Sequence, residues 1–184
     1  MPILDYPLEK LKTYRGMNPR PADFDAYWER ALAENAAVDP EEELVPAAFR
    51  APQAECFHLY FNGVGGARIH AKYVRPTGDG PFPALLEFHG YSWRSGDWSG
   101  YLGYAGAGFC VAALDFRGQG GLSEDPGGVK GNTLRGHIIR GLGDSPEKLY
   151  YRHVFLDTVQ LGRVVRSLEE VDAARTGALG GSQG

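Results

Sequence analysis

Thr176-Gly177-Ala178-Leu179-Gly180-Gly181-Ser182-Gln183-Gly184 joins a short, strand-like run to a pentapeptide of the form G-x-S-x-G. A strand running straight into a tight turn with serine at its centre is the nucleophile-elbow pattern. The glycines have a steric reason, because a turn this sharp strains the serine backbone and brings neighbouring Cβ positions into collision. The same turn places the Gln183 backbone N–H at a helix start, where it can donate to an oxyanion. With 26 glycines in the chain, the pentapeptide alone does not distinguish a nucleophile from a plain turn serine. The weight therefore rests on what precedes it.

Upstream lie two further short apolar runs, Ala84–Phe88 and 109–114, of the kind found in strands buried on both faces. The first ends in His89-Gly90-Tyr91 and the second in Asp115-Phe116-Arg117-Gly118-Gln119-Gly120, with a helix predicted around Trp98 to Ala107 between them. Strand, helix, strand is the parallel crossover unit. A helix over Tyr151 to Glu170 follows. Its Val154, Phe155, Leu161, Val164, Val165 and Leu168 recur at helical spacing, with Arg152, Asp157, Arg163 and Arg166 elsewhere on the wheel.

Nearer the N-terminus, Cys56 to Phe61 is rich in strand formers, Asn62 to Gly66 reads as a turn, and Ala67 to Val74 alternates apolar and polar. These form an expected antiparallel hairpin. Pro40 to Pro46 reads as a solvated connector, and Phe24, Tyr27, Trp28, Ala31 and Leu32 share one helical face predicted to lie against the domain. Asp125 to Pro146 is Gly-rich and long for a plain connection, which suggests a functional or interface insertion. The fold expected is α/β. It has a mostly parallel sheet, an N-terminal antiparallel hairpin and flanking helices, with residues 1–184 forming the N-terminal portion of one such domain.

At 43% hydrophobic and 23% charged residues the chain can bury a substantial core. A net charge of -4 with no Lys/Arg run disfavours nucleic acid as a partner. The start, Met1-Pro2-Ile3-Leu4-Asp5-Tyr6-Pro7, lacks the basic and apolar blocks of a signal peptide, and no stretch approaches the roughly 20 apolar residues of a membrane span. A cytoplasmic protein without a membrane partner is expected. Cys56 and Cys110 fall in or beside strands and read as small core residues.

Tyr91 is the natural backbone donor of a second oxyanion N–H, since the loop after an earlier parallel strand supplies one in this architecture. His89 reads as a strand-end residue bonded locally, because a base follows serine and acid in the chain order of this architecture. Arg117 reads as a strand-end turn residue, solvated or paired with Asp115, rather than a functional one. Gly63-Val64-Gly65-Gly66 joins two strands and opens no helix, so it is no dinucleotide loop. His137 and His153 have no partners at ligand spacing, and no metal site is expected.

With these residues assembled, the chain closely resembles the acetyl xylan esterase and cephalosporin-C deacetylase family, carbohydrate esterase family seven, of the α/β-hydrolase superfamily. Three motifs carry the resemblance in order: Arg117-Gly118-Gln119, the stretch Tyr150-Tyr151-Arg152-His153-Val154-Phe155 with Asp157, and the elbow Gly180 to Gly184. The resemblance implies a serine esterase that removes short acyl groups, chiefly acetyl, from xylo-oligosaccharides, other sugars or cephalosporin C, without a cofactor. It implies Ser182 as nucleophile, with the backbone N–H groups of Tyr91 and Gln183 as the oxyanion hole. It further implies a small acetylated substrate as partner and a ring-like homohexamer whose sites open to an internal cavity.

The family pattern also requires an Asp and a His after the nucleophile, whereas all five histidines here precede Ser182. The intact protein is therefore expected to be longer, and a polypeptide ending at Gly184 to be inactive by itself. The alternatives are another α/β-hydrolase, such as a peptidase or lipase, or a non-catalytic module. No extended apolar lid of the lipase kind is evident, and the serine and elbow glycines a pseudo-enzyme could lose are all present.

Overall fold

The computed structural model describes residues 5–126 and 139–184. His137 and most of the Gly-rich insertion lie outside the described residues. Helix α1 spans Leu8–Thr13 and α2 spans Phe24–Ala36, followed by strands β1 (Glu43–Pro46), β2 (Ala54–Asn62), β3 (Arg68–Pro76) and β4 (Phe82–Phe88). Helix α3 (Leu102–Gly106), strand β5 (Cys110–Leu114), helix α4 (Tyr150–Ser167) and strand β6 (Val171–Gly180) follow among the described residues.

The six strands form one mixed sheet in the order β1-β2-β3-β5-β4-β6. The expected hairpin is β2 and β3, in register from Ala54 opposite Pro76 to Asn62 opposite Arg68. Its turn is made by Gly65 and Gly66, both at positive φ. Strands β5, β4 and β6 run parallel, with Phe88 level with Leu114 on one side and Gly180 on the other. The antiparallel part is larger than the hairpin alone. Strand β1 joins β2 antiparallel, and β3 meets β5 antiparallel. The Pro40–Pro46 connector thus hides a short edge strand, which its acidic composition masked.

Alternation along β5 divides the core in two, because successive side chains point to opposite faces. Ala112 and Leu114 pack with Leu59, Phe61, Ile69, Leu86 and, from α4, Tyr150, Val154, Leu161 and Val165. Val111 and Ala113 pack with Cys56, Val74 and, from the other face, Tyr101 and Ala105 of the α3 region. Both cysteines are buried and free. Strand β5 is buried throughout, which explains its unbroken apolar run.

Two helical faces differ from the simple apolar reading. In α4, Asp157, Gln160 and Arg152 are buried, while Phe155 is 49% exposed. The buried stripe carries polar groups because it meets polar partners rather than only the sheet. In α2, Phe24 and Leu32 are exposed and the inward residues are Ala31 and Asn35. The helix is tied to α4 by the Trp28–Phe155 edge contact and by the Asn35–Gln160 and Glu34–Arg152 side-chain bonds.

Candidate active site

The parallel register brings the ends of β4, β5 and β6 to one edge, and the three loops leaving them meet there. Ser182 follows β6 by two residues and has φ +58°, in the left-handed region that non-glycine residues rarely occupy. The turn is closed by the Gly184 N–H donating to the Gly181 carbonyl at 3.1 Å. A Cβ on Gly184 would lie 2.0 Å from the Phe88 carbonyl oxygen, and one on Gly180 would lie 2.2 Å from the Gly184 carbonyl carbon. Only glycine fits at those two positions, so the serine strain is imposed by close packing of the turn on β4.

The loop after β4 approaches from the side. A Cβ on Gly90 would stand 3.7 Å from the Ser182 Cβ. The Trp93 N–H donates to the Gly90 carbonyl at 3.2 Å, closing a turn over Tyr91 and Ser92, and Ser92 has φ +62°. Ser92 and Ser182 thus both carry a left-handed backbone, one in each of the two loops. Nothing in the sequence marked Ser92, since serine carries no signature for a left-handed backbone.

Gln119, from the loop after β5, holds these two turns together. Its Oε1 accepts the Ser92 N–H at 2.7 Å, and its Nε2 donates to the Gln183 Oε1 at 3.0 Å and to the Tyr150 hydroxyl at 2.8 Å. The Tyr151 hydroxyl also donates to the Gln183 Oε1, at 2.8 Å. Tyr150 in turn donates to the Arg117 carbonyl at 2.8 Å. Burial pushes the Tyr150 hydroxyl up to about 12, against the opposing Gln119 bond. Its role is that of a neutral donor. The Nε2 of Gln183 is buried without a hydrogen-bond partner among the described residues.

Arg117 corrects one expectation. Only 1% exposed, it forms a bidentate pair with Asp157 of α4, both bonds at 2.6 Å, and donates to the Val64 carbonyl at 3.1 Å. It is neither solvated nor paired with Asp115. The fork of guanidinium donors matches the carboxylate, and the buried charge is thereby compensated. Gly63 belongs to this contact, since a Cβ there would lie 2.3 Å from the Asp157 carboxylate. Gly63, just after β2, thus leaves room for the Arg117–Asp157 contact beside the β5 loop.

His89 behaves as the strand-end reading expects. Its Nδ1 bonds the Gly90 carbonyl at 2.7 Å and its Nε2 accepts the Phe116 N–H at 3.0 Å. Both nitrogens are occupied, and burial lowers its pKa although the Gly90 bond opposes this. It is a neutral brace for the loop and not a general base. His153 is also held neutral, lowered to about 4 by burial foremost and then by Arg117 and Arg152. Among the described residues no cluster of three or more metal-ligating side chains is found.

A mixed sheet whose parallel strands end at a strained serine, with an adjoining loop turned beside it, defines an α/β-hydrolase. The chain belongs to the acetyl xylan esterase family: the family described as Acetyl xylan esterase (AXE1) matches residues 1–184. Acetyl xylan esterase 1 from Thermoanaerobacterium sp. JW/SL YS485 is similar at 57% identity and TM-score 0.93, over 98% of this chain and 57% of that one. The acetyl xylan esterase from Paenibacillus sp. R4 is 32% identical with TM-score 0.87, over 97% of this chain and 57% of its own. A Bacteroides fragilis NCTC 9343 protein, 12% identical with TM-score 0.61, shares the fold alone. The chain thus spans little more than half the length of these two esterases.

Proposed function

We propose that the protein is a serine esterase that removes acetyl and other short acyl groups, with Ser182 as nucleophile. The observation that carries this reading is the backbone of Ser182, held at φ +58° by glycines that admit no Cβ, beside the Gly90–Trp93 turn. On this reading the Ser182 Oγ attacks the ester carbonyl and loses its proton to a base. The backbone N–H groups of Tyr91 and Gln183 then receive the developing oxyanion. The acyl-enzyme is released by water in a second step. Serine is a weak nucleophile without a base, and the four described histidines are engaged elsewhere: His58 with His70, His70 with Asp115, His89 with its own loop, and His153 with the Glu147 backbone. The acid and base are assigned to residues beyond 184 in the full-length protein.

Family membership supports an acetylated small molecule as substrate, and we take xylo-oligosaccharides, other acetylated sugars or cephalosporin C as its class. The chemistry requires no cofactor, nucleic acid or membrane. No helix among the described residues is long and apolar enough to cross a membrane, and a cytoplasmic location is part of the same proposal. So is a homohexamer whose enclosed sites admit only small esters. Labelling of the full-length protein with a fluorophosphonate, followed by peptide mapping, tests the nucleophile. The adduct is expected on Ser182, and an adduct on another serine would refute the assignment.

A further inference from the structure

Beneath the β4 and β5 loops lies a chain of three titratable side chains that the proposed reaction does not use. Asp115, the residue after β5, and His70 of β3 are 2% and 1% exposed. The His70 Nδ1 stands 2.7 Å from the Asp115 Oδ2, and its Nε2 stands 2.9 Å from the Nδ1 of His58 on β2. With both rings neutral only one arrangement satisfies every contact: His58 Nδ1–H donates to His70 Nε2, and His70 Nδ1–H donates to the carboxylate. The chain ends at His58, half-buried edge-on against Trp98 at 5.2 Å between ring centroids.

The carboxylate has two further donors, both backbone. The Ser95 N–H reaches Oδ1 at 2.6 Å and the Leu122 N–H reaches Oδ2 at 2.9 Å. Ser95 is in the loop that carries Tyr91, and Leu122 is in the loop that carries Gln119. One buried carboxylate therefore fastens both loops that flank Ser182. The fit leaves no slack, since a Cβ on Gly121 would lie 2.0 Å from the Asp115 Cγ. Lys72 adds a neighbouring tie, donating to the Gly96 carbonyl with its Nζ 5.1 Å from the centre of the Trp98 ring. Burial opposes ionisation of Asp115, yet the bonds from His70, Ser95 and Leu122 outweigh it and hold the carboxyl below the ordinary carboxylate range.

We infer that Asp115, with His70 and His58 behind it, is a positioning residue for the esterase reaction, setting the place of the Tyr91 turn relative to Ser182. Asp115 acts through the backbone of Ser95 and Leu122, while His70 and His58 keep its second oxygen bonded. This inference rests on the serine-esterase reading. A misplacement of about 1 Å in such a loop can cost on the order of 100-fold in rate without changing what binds. The effect belongs in kcat more than in KM, because an oxyanion N–H bonds most strongly in the transition state.

The test uses the full-length protein and an aryl acetate, with Ser182→Ala as reference. Asp115→Asn keeps the shape but offers an amide where Leu122 N–H needs an acceptor. It is expected to lower kcat by roughly 10- to 100-fold with KM within about twofold. His70→Asn retains a donor toward Asp115 and is expected to keep more activity than His70→Phe. Should Asp115→Asn fail to fold, the His70 pair and His58→Gln decide, His58→Gln lowering kcat by several-fold or less. Wild-type kcat in Asp115→Asn and His70→Phe, or a change confined to KM or to melting temperature, would overturn the positioning role alone. Turnover that does not depend on Ser182 in the wild type would overturn the esterase reading, and this inference with it.

Discussion

Gln119 donates through its Nε2 to the Oε1 of Gln183 at 3.0 Å, and so ties the loop after β5 to the residue following the proposed nucleophile. Because its Oε1 simultaneously accepts the Ser92 N–H, one amide spans both strained turns. Gln119→Ala in the full-length protein is expected to reduce kcat on an aryl acetate by about 10- to 100-fold, with little change in KM. Gln119→Glu keeps the acceptor for Ser92 but loses both donors, and should be similarly impaired. Steady-state kinetics on the two variants check this, and wild-type kcat in both would contradict it.

The buried Arg117–Asp157 pair is expected to act on stability, since removing one partner strands the other's charge. Arg117→Leu leaves the Asp157 carboxylate buried and uncompensated, at a cost of about 3–5 kcal/mol. Replacing both with leucine should recover part of that loss. Urea unfolding of the two single variants and the double variant measures it. Additive losses in the double variant would show that the pair is not coupled.

The elbow glycines divide by what surrounds them. Nothing lies within 4 Å of a Cβ on Gly181, whereas one on Gly184 would meet the Phe88 carbonyl at 2.0 Å. Gly181→Ala is expected to fold with nearly unchanged stability. Gly184→Ala should lose about 1–3 kcal/mol or more, since the obstruction is backbone, and should label poorly with a fluorophosphonate at Ser182. Equal behaviour of the two variants would remove the steric account of the serine strain.

Most of the frame was legible because its signals are local. The apolar run 109–114 reports burial directly over Cys110–Leu114, whereas the run Ala84–Phe88, the alternation after Ala67 and the spacing in α4 report it in part, since β4 is half-buried and the polar His70 and Asp157 are buried in β3 and α4. The elbow was legible because glycine is obligatory at two of its positions. What escaped depends on partners distant in sequence. Asp157 reads as a surface acid until Arg117 is brought beside it, 40 residues away. Likewise His70 and Asp115, 45 residues apart, sit in an ordinary half-polar strand and at a strand end. The Glu41-Glu42-Glu43 run suggested solvent, and an edge strand with solvated side chains satisfies the same composition.

His153 gives a pH dependence of known sign. Its pKa falls from 6.5 to about 4 on folding, chiefly because burial disfavours the charged ring, so the unfolded chain binds the proton more readily. The stability contributed by the neutral ring is present above about pH 6.5 and is lost as the pH falls toward 4. His89 shifts in the same direction. The urea midpoint of the wild type should decrease over that window, and that of His153→Gln should decrease less. Parallel decreases in the two proteins would exclude His153 as a source.

The most direct test of the central claim is the turnover of an activated acetate by the full-length protein and by its Ser182→Ala variant, at equal concentrations and with folding checked by circular dichroism. Loss of the nucleophile is expected to reduce kcat by several orders of magnitude, on the order of 10⁶-fold where a complete triad is present, while the fold is unchanged. Turnover that survives the substitution intact would contradict the assignment of Ser182, and with it the esterase mechanism built on the elbow.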